Sequence, residues 1–368
     1  PFQGGQFEAW LSRRAEPQPY QGAADTLANQ ALFTRTTEVI AEILDERVAA
    51  VLSQPLPVWL GELISIWHLR QSHVVTFNYD PLVECAFETL RLYDWRQNTR
   101  FQWGSLINYS PEGKAGASYG EMGNSAAPHP SFRLWKLHGS LNWWWTPGDS
   151  TGATVRRVRL PGTFGAAKPL EPDEARWSVP GRERFIVPPA ALKSAYYGNP
   201  ITRGIWQQAF NALKDTDQIT LMGYSLPQTD LSTSGMIAEA FTSATSMRLS
   251  VVDLEGNGGG IPARLTTLGA SATEIDAESC GTDAIPKYVA SMTDAAARSA
   301  VTKIRSLQAS LQSALYVDWG PAGLESSAQG RSAAITEITQ KDDRNTFILQ
   351  TEDLDSLETA TRSRASAS

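Results

Sequence analysis

The chain reads as an α/β protein: a parallel β-sheet flanked by helices, with a helical region at its N-terminal side. Three observations predict this. A strand, a tight turn and a helix follow one another between His73 and Leu90, which is half of a βαβ unit. Strands at 218–222 and 248–253 are separated by a helix long enough for a right-handed crossover. Residues 6 to 70 carry the apolar spacing of helices and not of strands.

In chain order, Phe7, Trp10 and Leu11 repeat at helical spacing, and Leu27 to Leu52 and Val58 to Leu69 carry longer 3.6-residue patterns broken by Pro55 and Pro57. His73-Val74-Val75-Thr76-Phe77 is a short β-branched strand, after which Asp80 is placed to cap and Pro81 to open a helix through Leu90. Tyr93 to Pro130 is aromatic and then Gly/Ser-rich, which suggests an irregular surface excursion. Phe132 to Leu137 alternates as a strand and ends at His138-Gly139-Ser140; Leu141 to Trp145 reads as another.

Residues 146 to 182 read as a long polar loop, and Phe185-Ile186-Val187 as a strand stopped by Pro188-Pro189. A helix over 201–213 leads to the strand Gln218–Met222, which breaks at Gly223-Tyr224-Ser225. A helix over about 230–242, the strand 248–253, a glycine-rich loop at 256–260 and a helix over 286–314 complete the pattern. Beyond that the composition turns to Ser, Thr, Ala and acid, so residues 1–310 are expected to form the folded domain and 311–368 a polar tail or linker.

Composition narrows the function. The 368 residues carry 32 Lys and Arg against 39 Asp and Glu, a net charge of −7, which disfavours nucleic acid as a main partner because a phosphate lattice is held by clustered cations. The two cysteines, Cys85 and Cys280, form no CxxC pair, so neither a disulfide framework nor a four-thiolate zinc site is expected, and a reducing, cytoplasmic compartment is. No metal is expected, since the four histidines are scattered. No apolar run approaches the ~18 residues of a membrane helix, so no membrane association is expected.

In doubly wound sheets, ligands bind beyond the carboxyl ends of the strands. Four polar clusters fall at such ends: Asn78 with Asp80, His138 with Ser140, Gly223 with Ser225, and Asp253 with Asn257. If the strands share one sheet, their tips line one crevice holding an amide, carboxylates, one imidazole and glycine-freed amides but few cations. That set suits a ribose-rich, electrically modest ligand such as a dinucleotide. Each cluster also has a plain structural reading: a turn and N-cap at Asn78 and Asp80, a core histidine at His138, an ordinary strand-to-helix turn at Gly223, a turn cap at Asp253. Two glycine-rich stretches imitate phosphate loops. Ala115-Gly116-Ala117-Ser118 has no strand before it, and no lysine follows Gly256–Gly260. Trp143-Trp144-Trp145 reads as packing, because alternate rings on a strand face opposite sides.

Four ordered motifs, Thr76-Phe77-Asn78-Tyr79-Asp80, Lys136-Leu137-His138-Gly139-Ser140-Leu141-Asn142-Trp143, Ile186-Val187-Pro188-Pro189 and Gly223-Tyr224-Ser225-Leu226-Pro227-Gln228-Thr229-Asp230, resemble the bacterial sirtuin-like domain family of antiphage defence proteins. The opening, Phe7 to Ser12 followed by Gln18-Pro19-Tyr20, is similar to that family too, and the match covers roughly residues 1 to 310.

The resemblance implies a Rossmann-like NAD-binding fold and hydrolysis of the nicotinamide–ribose bond. By motif position it implies that His138 and Asn78 are catalytic, and that Asp80, Gly139, Gly223, Ser225 and Asp253 contact the NAD. Asp80 takes the nicotinamide side, Gly223 and Ser225 the phosphates and ribose, and Asp253 the adenine-side ribose. The family's Gly-Ala-Gly-x-Ser phosphate loop, expected before Phe7, is not in the sequence, which suggests that it was cut off before Pro1. The zinc ribbon of protein-deacylating sirtuins is missing as well, which places a deacylase last. Expected, then, is an NAD hydrolase of bacterial defence, with a non-hydrolysing module that senses NAD or a derivative as the alternative. Beyond NAD, the partners in view are further copies of the chain and a fused or separate effector protein.

Overall fold

The computed structural model describes residues 7–90, 93–94, 99–100, 103–107, 131–167, 181–190, 194–227, 230–243, 247–255, 260–269, 274–277, 279–292, 316–320, 323–328, 331–341 and 344–351. The glycine-rich stretch Ala115–Ser118, most of the loop 256–260 with Asn257, and residues 293–314 lie outside them.

The N-terminal region is helical as expected. Helix α1 (Phe7–Ala15) stacks Phe7 on Trp10 and buries Leu11. Helix α2 (Ala23–Leu52) runs 30 residues and buries Ala41, Val48 and Leu52, whose spacings of seven and four put them on one stripe. Pro57 caps helix α3 (Val58–Arg70), which ends where Gln71 turns left-handed at φ 51°. Strand β1 (His73–Thr76) leads through a turn to helix α4 (Leu82–Leu90).

Short strands β2 (Tyr93–Asp94) and β3 (Thr99–Arg100) pair with each other, and a 3₁₀ turn follows at Trp103–Leu106. Leu106 and Ile107 are buried in the main core, so this part of the expected surface excursion is interior. Strand β4 (Arg133–Lys136) pairs parallel to β1, from His73 opposite Arg133 to Thr76 opposite Lys136. Strand β5 (Gly139–Trp145) follows, with β6 (Arg156–Arg157), the hairpin β7 (Gly162–Thr163) and β8 (Ala166–Ala167), and β9 (Glu183–Ile186). The stretch expected to be a polar loop thus carries pairing strands and buries Val155, Val158 and Phe164. Apolar residues spaced through polar sequence were enough to anchor it.

Helices α5 (Ser194–Tyr197) and α6 (Pro200–Lys214) lead to strand β10 (Gln218–Met222), helix α7 (Leu231–Ser243), strand β11 (Arg248–Val252), helix α8 (Ile261–Thr267) and strand β12 (Glu274–Asp276). Residues 284–292 are helical. Strands β10, β11 and β12 form a parallel sheet, with Met222 opposite Val252. In the stretch read as a polar tail, strands β13 (Tyr316–Gly320), β14 (Gly323–Ala328), β15 (Arg331–Lys341) and β16 (Arg344–Thr351) form an antiparallel sheet in sequence order. Within it, β15 and β16 concentrate the β-branched residues Ile335, Thr336, Ile338, Thr339, Thr346, Ile348 and Thr351, which favour strands.

The protein is therefore a mixed α/β structure, and among the described residues its parallel strands fall in separate sheets and not in the single one expected. Among the described residues the parallel sheets are β1–β4 and β10–β11–β12, and β5 pairs antiparallel with β6 and β9. The main core lies under β4, β5 and β9 and is packed by α2, α3, α4 and α6; a second core lies between β10, β11 and α8. Helix α3 joins the two, since Leu63 and Ile66 pack with Met222 and Val289. Trp143 and Trp145 both lie against Phe185, at 6.2 and 4.9 Å, while Trp144 takes Arg184 over its ring. The alternation of β5 thus makes the three indoles packing elements. Among the described residues, no helix is long and apolar enough to cross a membrane.

Candidate functional site at the strand tips

The parallel pairing of β1 and β4 brings the first two motifs together. Two residues beyond the last paired residues, Thr76 and Lys136, stand Asn78 and His138. The backbone then stitches the two segments. Leu137 N donates to Thr76 O at 3.0 Å, and Leu141 N and Ser140 Oγ both donate to Tyr79 O, at 2.8 and 3.1 Å. Asp80 Oδ1 accepts from Leu82 N at 3.1 Å, the capping role expected of it. Asn78 is exposed, and its N–H donates to Thr76 Oγ1.

His138 is almost fully enclosed. Its ring is met edge-on by Phe77 at 5.2 Å, with Tyr79 and Trp206 each at 6.4 Å. These walls are themselves fixed: the Tyr79 hydroxyl donates to Val187 O at 2.6 Å, Val187 N donates to His138 O at 2.9 Å, and Trp206 Nε1 donates to Leu137 O at 3.1 Å. Gly139 has φ 76°, and a Cβ there would fall on the Phe185 carbonyl oxygen. Only glycine lets β5 lie against β9 directly after His138. For Gly139 the structure thus supplies a packing reason; for Ser140, a strand position inside the antiparallel sheet.

The third motif reaches the same place through a ring. Tyr224, just beyond β10, stacks on Phe77 at 4.4 Å with an interplanar angle of 20°. Its hydroxyl donates to Asp230 Oδ2 at 3.2 Å, and Thr233 Oγ1 donates to the same oxygen at 2.9 Å. Burial foremost, with the Asp230 charge adding, pushes the Tyr224 and Tyr197 hydroxyls well above the ordinary tyrosine range, so both stay protonated.

Gly223 and Ser225 are exposed on either side of Tyr224; Gly223 has φ 59°, and Leu226, without glycine's freedom, has φ 49°. Arg264 Nη2 donates to Ser225 O at 2.7 Å, which puts a guanidinium at this turn. Asp253 lies one strand further out, at the end of β11, where it bridges to Cys280 and accepts from Glu255 N.

The structure therefore brings Asn78, Asp80 and His138 to one strand tip and, through the Phe77–Tyr224 stack, sets Gly223 and Ser225 beside them; Asp253 lies one strand further out, next to Val252, whose carbonyl accepts from Gly223 N at 2.9 Å. Tyr79, Trp206, Lys136 and Arg264 also belong to the arrangement and were not singled out from sequence. None of them carried a signal of its own in the sequence: Lys136 is one of two charges in the four-residue strand Arg133–Lys136, and Trp206 and Arg264 sit on helices. Among the described residues, no group of three or more His, Cys, Asp and Glu side chains is arranged to hold a metal. Compared with known proteins, the chain matches no protein-family model and no curated protein.

Proposed function

We propose that this chain is the NAD-cleaving unit of a sirtuin-like NAD hydrolase of bacterial antiphage defence, with its two parallel sheets serving as the halves of a Rossmann-like binding fold. The observation that carries the reading is the meeting of three separate motifs at one point: Phe77 lies edge-on to His138 and stacked on Tyr224, with Asn78 next in the chain. Those are the strand ends at which doubly wound folds bind nucleotides. In the proposed reaction nicotinamide leaves with the electron pair of its bond to ribose, and water attacks the oxocarbenium-like carbon. His138 takes the proton of that water, and Asn78, with two donors and an acceptor, holds the water or a ribose hydroxyl. Asp80 and the aromatic rings orient the leaving ring.

One observation favours the alternative, a module that binds without cleaving: His138 is only 7% exposed and is walled by Phe77, Tyr79 and Trp206. Incubating the full chain with NAD and following free nicotinamide separates the two. Release without any acyl peptide is the expected result. Saturable NAD binding with no release would transfer the proposal to the sensing module, and neither binding nor release would discard both.

A further inference from the structure

The most thoroughly buried charges near the site are not among its expected residues. Lys136 ends β4, two residues before His138, and its side chain is 1% exposed. Its Nζ donates to Glu84 Oε1 at 3.0 Å and to the backbone carbonyl of Asp80 at 2.6 Å. Glu84, in the first turn of α4, is fully enclosed, and its second carboxylate oxygen has no hydrogen-bond partner among the described residues.

As a stabilising device the pair is poor. Two ions removed from water lose their hydration, and an apolar pair of similar volume is commonly as stable or more so. A carboxylate oxygen enclosed without a partner adds to that cost. What the pair does well is geometric. Through Lys136, the strand that leads to His138 grips the Asp80 carbonyl, while Leu141 and Ser140, beyond the histidine, grip the Tyr79 carbonyl. The turn Asn78-Tyr79-Asp80 is held on both sides of His138 by the same segment, and Glu84 fixes the ammonium between them.

We infer that Lys136, aimed by Glu84, is a positioning residue that sets Asn78 against His138 for water attack; the inference rests on the hydrolase reading proposed above. Displacing a reacting group by about 1 Å can cost ~10²-fold in rate, so a charge pair that is expensive for stability can be retained for position.

The test compares the full chain with Lys136→Met paired with Glu84→Leu, in which both charges go together. Either single change strands a buried charge and is expected to unfold the protein; the apolar pair is expected to melt within about 5 °C of wild type. In that folded pair, nicotinamide release should fall in kcat by about 10²-fold while KM for NAD stays within about threefold. Hydrogen exchange should quicken at the Leu82 and Leu141 amides, which bond to Asp80 and Tyr79, and at no other amide of β4, β5 or α4. If the apolar pair does not fold, Lys136→Gln with Glu84→Gln is read by the same criteria.

Wild-type kcat in a folded pair overturns the inference. Should the wild-type chain release no nicotinamide, the hydrolase reading fails on its own, and exchange decides the rest: quickening confined to those two amides retains Lys136 as the holder of the turn, and unchanged exchange removes that role too.

Discussion

The ring of Phe77 lies flat on that of Tyr224, at 4.4 Å and 20°, and so joins the tips of two parallel sheets that, among the described residues, share no backbone pairing. Phe77 follows β1 and Tyr224 follows β10, so the stack carries a contact that a continuous sheet would make by hydrogen bonds. A double-mutant cycle of Phe77→Leu and Tyr224→Leu, read by urea unfolding, should give a coupling of about 0.5–1.5 kcal/mol, the usual worth of an aromatic pair beyond its area. Coupling near zero would show that the sheets are joined elsewhere, with α3 the next candidate through Leu63 and Met222.

Gly139 and Gly165 allow a matched comparison, because both are left-handed, at φ 76° and 77°, but only Gly139 faces a backbone carbonyl. Gly165→Ala meets no neighbour within 4 Å and should cost only the conformational strain, about 1–2 kcal/mol. Gly139→Ala must also push β9 from β5 and should destabilise by clearly more, seen as a lower thermal midpoint or loss of soluble protein. Equal losses for the two variants would mean that the Phe185 carbonyl moves aside freely.

His73 makes stability depend on pH. Burial foremost, then the Arg133 charge, lowers its pKa below the ordinary value, against a smaller opposing pull from Asp215, and Trp135 Nε1 donates to its Nδ1, which must then be unprotonated. As pH falls through about 6.5, the unfolded chain binds a proton that the folded chain resists, so stability falls on the acid side and is unaffected by this group above it. The thermal midpoint of wild type should therefore drop more between pH 7 and 5 than that of His73→Gln. Parallel curves for the two proteins would remove His73 from the account.

Local sequence carried most of the elements and little of their pairing. Strand β10 and the unit β1–turn–α4 were legible because β-branched runs, Asp80-Pro81 and Gly223 mark both ends of each element. That β5 turns back antiparallel to β9 was not, since alternation says which residues share a face and nothing about the neighbouring strand. Lys136 shows the same limit inside the site. Alternation after Leu134 and Trp135 gives no reason to bury an ammonium, and what buries it is Glu84 on a helix far back in the chain. Asn78 and His138 were legible as strand-end polar residues, whereas the rings around His138 arrive from the turn after β1 and from α6, and only the tertiary fold assembles them.

The sharpest prediction sets the proposed reaction against a packing role for His138. If His138 accepts the proton of the attacking water, His138→Ala should lower nicotinamide release by about 10²- to 10⁴-fold and leave NAD affinity nearly unchanged, because proton transfer is felt in the transition state and hardly in the ground state. Asn78→Ala should behave alike, and since Asn78 is exposed, it should do so without lowering the thermal midpoint. The enclosed imidazole makes the rival forecast definite: removing a ring that touches Phe77, Tyr79 and Trp206 leaves a cavity, so His138→Ala would cost about 2–4 kcal/mol of stability. His138→Gln keeps most of the volume and separates the two. It should restore the thermal midpoint without restoring turnover, because an amide cannot take up the proton at neutral pH. A His138→Gln protein that melts like wild type and turns over NAD at the wild-type rate would falsify the role given to His138.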